Sequence, residues 1–274
     1  MDLHDRVVEV AGAPIHYSVT GQGDIAVVLT HGFRAHHVWW ANVVPLLEET
    51  YTVITLDLSG SGDSGHRDAY GIDIWGQEVN AVLDDAGIER ALMVGHSLGG
   101  TSVVMAATQR PERAIGVILM DTFIQGEGRM RPIGAAAASP VRYYDTKEDA
   151  VARFRLMPPQ EGDDPVLLER LATYGVKPVD DERWTWKFDQ VVAPQIDEER
   201  LNASIAALKV PFHYVHAMAS PVVVPEVVPF ILSFAPAGTS VTYVPQAKHH
   251  LTVSHPETCA EIIDSFAQEW TAST

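Results

Sequence analysis

Six residues, Gly95-His96-Ser97-Leu98-Gly99-Gly100, stand between an apolar β-rich run and a helical stretch, and they constrain the fold more than any other feature. The chain has to turn from strand into helix within a couple of residues. That forces the central residue into a strained conformation and brings neighbouring backbones close, so only small residues at positions 95 and 99 leave room. The serine hydroxyl is raised above the sheet edge, and the helix N-terminus aims positive dipole at developing negative charge. A Gly-rich turn holding an inert serine is the alternative. The strand before the motif and the helix after it favour a nucleophile at Ser97.

The same strand–helix rhythm runs through the first half. Residues 6–10 and 15–19 read as an antiparallel pair turning at Gly12-Ala13-Pro14. Residues 25–30, 52–56, 91–94 and 115–120 are β-rich runs without polar alternation, as expected of strands covered on both faces. Helical stretches at 39–48, 72–86 and 98–109 separate them, which predicts a parallel sheet with right-handed crossovers. From 122 to 208 no strand is read. That stretch holds a Gly- and Ala-rich loop at 126–138 and helical pieces at 147–155, 165–174 and 198–207. Strands at 211–215 and 240–244 and helices at 226–234 and 256–270 complete the alternation. The expected fold class is α/β: a mostly parallel sheet of about eight strands flanked by helices. Residues 1–121 and 209–274 form the core, and 122–208 form an inserted helical cap over the sheet's C-terminal edge, where ligands bind.

Composition narrows the function. The 274 residues include 19 Lys and Arg against 36 Asp and Glu, a net charge of −17. Such a deficit repels phosphate backbones and anionic lipid, so nucleic acid and membrane partners are not expected. It favours, weakly, neutral or cationic small-molecule substrates; a homodimer is left open. The single Cys259 excludes an internal disulfide and a Cys-based zinc site, and fits a reducing, cytoplasmic setting. The N-terminus lacks the basic and apolar regions of a signal peptide, and no run approaches a membrane span. The twelve histidines show no metal-binding spacing, so no metal and no cofactor are expected.

From these motifs the chain resembles the α/β-hydrolase superfamily over nearly its whole length. Leu29-Thr30-His31-Gly32-Phe33 is similar to that family's His-Gly-x loop after the third strand. The resemblance implies the backbone N–H groups of Phe33 and Leu98 as oxyanion-hole donors, with His31 organising the loop. Asp57-Leu58-Ser59-Gly60-Ser61-Gly62-Asp63-Ser64 resembles the glycine-rich turn after the fourth strand, with Ser59 where arginine is usual. A serine hydroxyl needs a base. His249 follows the last strand and has Pro256 seven residues on, as in the family pattern, which favours it over His250.

The acid departs from the common pattern. Family members usually carry it after the seventh strand, but Val215-His216-Ala217-Met218-Ala219-Ser220-Pro221 has no carboxylate. A minority place it after the sixth strand, where Asp121 stands. An imidazolium formed in a dry site needs a fixed anion on its far nitrogen, so Asp121 is the expected acid and Glu226 the reserve. The aromatics of Arg183-Trp184-Thr185-Trp186-Lys187-Phe188 could wall a substrate pocket or simply hold the cap down. His36, His37, Trp39 and Trp40, after the oxyanion loop, carry the same two readings.

The resemblance therefore implies a serine hydrolase with a Ser97–His249–Asp121 triad, cleaving an ester or lactone of a small apolar substrate through an acyl-enzyme. Carbon–carbon bond hydrolysis and cofactor-free dioxygenation are the enzymatic alternatives on this fold. A ligand-binding receptor with vestigial turnover is the non-enzymatic one.

Overall fold

The computed structural model describes residues 4–125, 139–161, 164–180 and 182–272. The Gly- and Ala-rich loop at 126–138 lies outside the described residues. In chain order the strands begin with β1 (His4–Val10), β2 (Ala13–Thr20), β3 (Ala26–Thr30), β4 (Thr52–Leu56) and β5 (Ala91–His96). They continue with β6 (Ala114–Met120), β7 (Val176–Pro178), β8 (Trp184–Trp186), β9 (Phe212–Ala217) and β10 (Ser240–Val244). Eight of them form one sheet in the order β1-β2-β4-β3-β5-β6-β9-β10, in which β2 alone runs against its neighbours.

The central strands of the sheet are buried on both faces, and β3 shows how its sequence achieves this. Val27 and Leu29 enter the layer shared with α1 (Val44–Leu47) and the C-terminal helix. Val28 enters the opposite layer, shared with α2 (Ile72–Asp85) and α3 (Leu98–Gln109). Successive strand residues point to opposite faces, so an unbroken apolar run is what a sheet covered twice requires. β5 lies between β3 and β6, with Thr30 paired to Gly95 and His96 to Met120. The loops leaving these three strands consequently emerge side by side at one edge.

Between β6 and β9 the insertion carries α4 (Lys147–Val151), α5 (Pro165–Tyr174) and α6 (Glu198–Ala206). It also holds β7 and β8, which pair antiparallel, where sequence reading expected no strand. Trp184 and Trp186, at alternate positions of β8, are the period-two signal of that strand. After β9 come α7 (Val227–Leu232), α8 (Leu251–Ser254) and α9 (Pro256–Ala272).

Two local readings also shift. The helix expected over 39–48 breaks into a 3-10 turn at His37–Trp40 and the short α1, whose first turn holds Pro45. The β1–β2 turn is Ala11-Gly12, both at positive φ, so Ala13 and Pro14 already belong to β2. No described helix is long and apolar enough to cross a membrane. Cys259 is buried, and burial raises its thiol pKa far above the usual range.

Candidate active site

Ser97 sits at φ 52°, ψ −122°, between β5 and α3. A side chain is rarely held in that left-handed region unless its surroundings enforce it. Here they do. A Cβ on Gly95 would come within 2.5 Å of the Gly100 nitrogen, and one on Gly99 within 2.5 Å of the carbonyl oxygens of Thr30 and His31. The Ser97 N–H donates to the Met120 carbonyl at 2.9 Å, tying the turn to β6. The half-buried side chain borders a cavity of about 1230 Å³.

Phe33 and Leu98 border the same cavity. Neither backbone N–H donates to a protein acceptor among the described residues. The His31 ring explains the shape of the loop. Its Nδ1 lies 2.8 Å from the Gly32 carbonyl, and its Nε2 accepts from the Leu58 N–H at 3.1 Å.

His249 and Asp121 meet under the cavity floor, with Nδ1 2.7 Å from Oδ2. Asp121 is fully buried at φ 48°, immediately after β6. Its Oδ1 accepts the Ala217 N–H at 3.2 Å, and its Oδ2 accepts the Ser220 hydroxyl at 2.5 Å. Ser220 occupies the stretch after β9 where the acid was first sought, and it reaches the same carboxylate oxygen. Glu226 is exposed at the start of α7, away from this group. Ser97 Oγ makes no hydrogen bond to His249 among the described residues, although both border the cavity. Such bonds often form only in the substrate complex.

The pocket residues expected from sequence separate. Trp186 borders the cavity, stacked on Phe188 at 5.9 Å. Trp184 does not; Lys147 lies 5.8 Å from its ring and its backbone pairs with Tyr144. Trp40 is fully buried against α1 and β4, and Trp39, also expected there, borders the cavity. His37 turns inward to Asp57, with Nδ1 3.1 Å from Oδ1. His36, offered with them, borders the cavity as Trp39 does.

The alpha/beta hydrolase family model matches residues 27–262. The chain belongs to that family.

Among curated proteins, a 2-hydroxy-6-oxononadienedioate/2-hydroxy-6-oxononatrienedioate hydrolase of Paraburkholderia phymatum is 36% identical over 125 residues, covering 43% of each chain. This alpha/beta hydrolase thus spans less than half the length of the curated relatives it matches. Two solved structures share its fold at 18% identity. The thioesterase domain from the curacin biosynthetic pathway superposes with a TM-score of 0.79, over 96% of this chain and 99% of its own. E-2-(acetamidomethylene)succinate hydrolase does so with 0.79, over 97% and 99%.

Three histidines around the site of this alpha/beta hydrolase were not singled out for these roles by sequence. His96, inside the serine motif, has Nε2 2.7 Å from the His249 carbonyl oxygen, so one residue of the turn supports the loop carrying His249. His36 and His250 hold the insertion. Their Nε2 atoms lie 3.1 Å from the carbonyl oxygens of Leu171 and Pro158. Only tertiary structure pairs rings with carbonyls so distant in sequence.

These rings make stability pH-dependent. Burial lowers His36 to about 3 and His213 and His250 to about 4, and takes His96 well below its usual value. The unfolded chain then binds protons before the folded one, so their stabilisation at pH 7 is lost as pH falls from about 6.5 towards 4. His16 opposes them. Burial lowers its pKa, but Asp57 outweighs burial and raises it, so its contribution holds below about 6.5 and fades above. Burial lowers His31 as well, so five rings stand against His16 and the buried carboxyls of Glu78 and Glu198, whose raised pKa values favour the folded state as pH falls. The thermal midpoint is expected to fall by on the order of 10 °C from pH 7 to pH 5. Circular-dichroism melts check this, and a flat or rising midpoint contradicts it.

The glycine-rich turn at 57–64 has a separate role in this alpha/beta hydrolase. A Cβ on Gly62 would lie 2.1 Å from the Asp57 carboxylate, which fills the turn. That buried carboxylate accepts the N–H groups of His37 and Asp63 at 2.6 and 2.9 Å and the Tyr174 hydroxyl of the insertion at 2.9 Å. Burial would raise its pKa, but His37 and His16 hold it well below the usual range. His16, His37 and Asp57 are the group of potential metal ligands found among the described residues, with ligand atoms within 4.8 Å. Their mutual contacts make them a charge network that secures the loops and the insertion. Where arginine was absent at Ser59, Arg67 supplies the anchor, with Nε 3.1 Å from Glu78 Oε1 while the Ser59 N–H donates to Oε2 at 2.9 Å.

Proposed function

We propose that the chain is a serine hydrolase that cleaves a carboxylic ester or lactone through an acyl-enzyme. The observation that carries this reading is the His249–Asp121 contact of 2.7 Å beside a serine held at φ 52°. Ser97 Oγ attacks the carbonyl carbon and its proton passes to His249 Nε2. Asp121 fixes the imidazole through Nδ1 and supports the cation formed. The N–H groups of Phe33 and Leu98 receive the oxyanion, a contribution of about 3–4 kcal/mol per donor where one has been removed elsewhere. His249 returns the proton to the leaving oxygen, and water attacks the acyl-enzyme by the same route in reverse. Trp39, Phe154, Trp186 and Phe188 border the cavity and suit an apolar substrate body. No step draws on a cofactor or metal, and a cytoplasmic setting belongs to the same reading.

A second reading, hydrolysis of a carbon–carbon bond next to a ketone, is favoured by the relatives named for 2-hydroxy-6-oxo dienedioates. The test offers p-nitrophenyl esters of graded acyl length, several lactones and a 2-hydroxy-6-oxo dienedioate. A burst of nitrophenolate equivalent to the enzyme, then slower turnover, is expected. Cleavage of the dienedioate with no ester or lactone turned over would move the conclusion to the second reading.

A further inference from the structure

In sequence the aromatics of the insertion carry two readings, a pocket wall or a fastening onto the sheet. Burial separates the two. Trp40, a packing residue, is fully buried. Tyr144, Phe154, Trp186 and Phe188 are only half-buried, and all four border the cavity. Trp186 and Phe188 join none of the three hydrophobic clusters formed by the described residues. Rings that fastened the insertion would be covered on every side, whereas these keep surface turned to the cavity.

The rings form a continuous array drawn from separate parts of the chain. Trp39 follows the oxyanion loop on the core, Phe154 follows α4, and Trp186 and Phe188 lie on and just after β8. Trp39 meets Phe154 with ring centres 6.4 Å apart and planes at 61°. Phe154 meets Trp186 at 6.4 Å and 46°, and Trp186 stacks on Phe188 at 5.9 Å and 17°. Those separations lie within the range of about 4.5–7 Å over which ring quadrupoles attract one another. Tyr144 fixes the middle of the array. It meets Trp186 edge-on at 84°, and its hydroxyl accepts the Trp186 Nε1–H at 3.2 Å. Rings already held in place lose little freedom when another ring joins them.

An aliphatic body would gain from such a wall only by leaving water. A flat aromatic group gains that and ring–ring contact besides. Aromatic faces also attract cations, but the Arg34 guanidinium already lies 4.7 Å from the centre of the Phe188 ring. Among the described residues that border the cavity, cations outnumber carboxyl groups, so a positively charged ligand would meet like charge there. A neutral ring does not.

We propose that Trp39, Phe154, Trp186 and Phe188 form an aryl subsite, so that the ester or lactone opened at Ser97 carries a flat, uncharged aromatic group. This rests on the ester-hydrolysis reading and names the class of group that the substrate presents to the insertion.

The test uses two pairs of esters without an aromatic leaving group, so that no second ring competes for the wall. Ethyl 3-phenylpropanoate against ethyl 3-cyclohexylpropanoate puts the ring on the acyl side. Its counterpart, 2-phenylethyl acetate against 2-cyclohexylethyl acetate, puts it on the alcohol side. Methylenes insulate the ester from the ring in both, and acid release is followed in a pH-stat. Cyclohexyl is the more hydrophobic ring, so burial alone would favour it. Wild type is expected instead to favour the phenyl member of at least one pair by ~3- to 30-fold in kcat/KM, mainly through KM. Trp186→Leu should bring that ratio to unity or below, and Trp186→Phe should retain most of it. Phe154→Leu carries the same expectation as Trp186→Leu if the latter does not fold. Trp184→Leu, on the same strand but off the cavity, should keep the ratio.

Equal cleavage, or a cyclohexyl preference in both pairs, overturns the subsite and leaves ester hydrolysis standing. So does a ratio that Trp184→Leu lowers as far as Trp186→Leu. If no ester is cleaved, the ester reading has failed, and calorimetric titration with 4-phenylbutan-2-one and 4-cyclohexylbutan-2-one decides the subsite alone. Tighter binding of the phenyl ketone by wild type, lost in Trp186→Leu, supports it, and equal binding or none overturns it.

Discussion

Ser97→Ala is expected to lower kcat/KM on any ester the protein cleaves by on the order of 10⁴-fold or more, while the fold persists. The turn is held by glycines that approach backbone, and by the Ser97 N–H bond to Met120, which alanine keeps. The hydroxyl makes no hydrogen bond to His249 among the described residues, so replacing it removes the proposed nucleophile without removing an anchor. The thermal midpoint should therefore move by no more than about 2 °C. Steady-state kinetics with a nitrophenyl ester and a melting curve make the comparison. Retention of more than a few per cent of wild-type activity would end the covalent reading and favour chemistry that does not use Ser97.

Asp121→Asn should cost about 10³- to 10⁴-fold in rate, because an amide opposite Nδ1 favours the wrong imidazole tautomer. The loss should appear in kcat, since Asp121 lies beneath the cavity and does not border it. A constructive arm distinguishes this from structural damage. Ser220 Oγ is 2.5 Å from the carboxylate oxygen that meets His249, so an aspartate at 220 can present its own oxygen to the same nitrogen. Ser220→Asp in the Asp121→Asn background is expected to recover about tenfold or more of the lost rate. Glu226→Gln, on an exposed residue, should stay within about twofold of wild type. Full activity of Asp121→Asn together with collapse of Glu226→Gln would transfer the acid's role.

What could be read from the sequence was whatever local sterics or periodicity dictates. The strand-to-helix turn at Ser97 was legible because few arrangements tolerate Gly-x-Ser-x-Gly between a strand and a helix. Strands covered on both faces announce themselves as unbroken apolar runs, and β4 was placed to the residue. The hairpin of β7 and β8 was missed because three-residue strands have too little sequence to establish a period. Of the four residues offered after the oxyanion loop, His36 and Trp39 border the cavity, while the 3-10 turn carries His37 and Trp40 away from it. The support that His96 gives to the His249 loop spans 153 residues, and no local rule reports a contact of that kind. The bond from Ser220 to Asp121 was invisible for the same reason, even though both positions had been examined as places for an acid.

That last contact bears on how such a site can change over generations. An essential carboxylate cannot be deleted and rebuilt elsewhere, because the intermediate would be inactive. Here the segment after β9 reaches, through Ser220, the same Asp121 oxygen that meets the imidazole, so a second carboxylate can arrive at 220 before the first departs from 121. Two carboxyl groups that close cannot both ionise, and they would hold one proton between them. One anion would remain, which is all that the imidazole requires. The two acid placements are therefore joined by a path of single substitutions on which the site never lacks its charge.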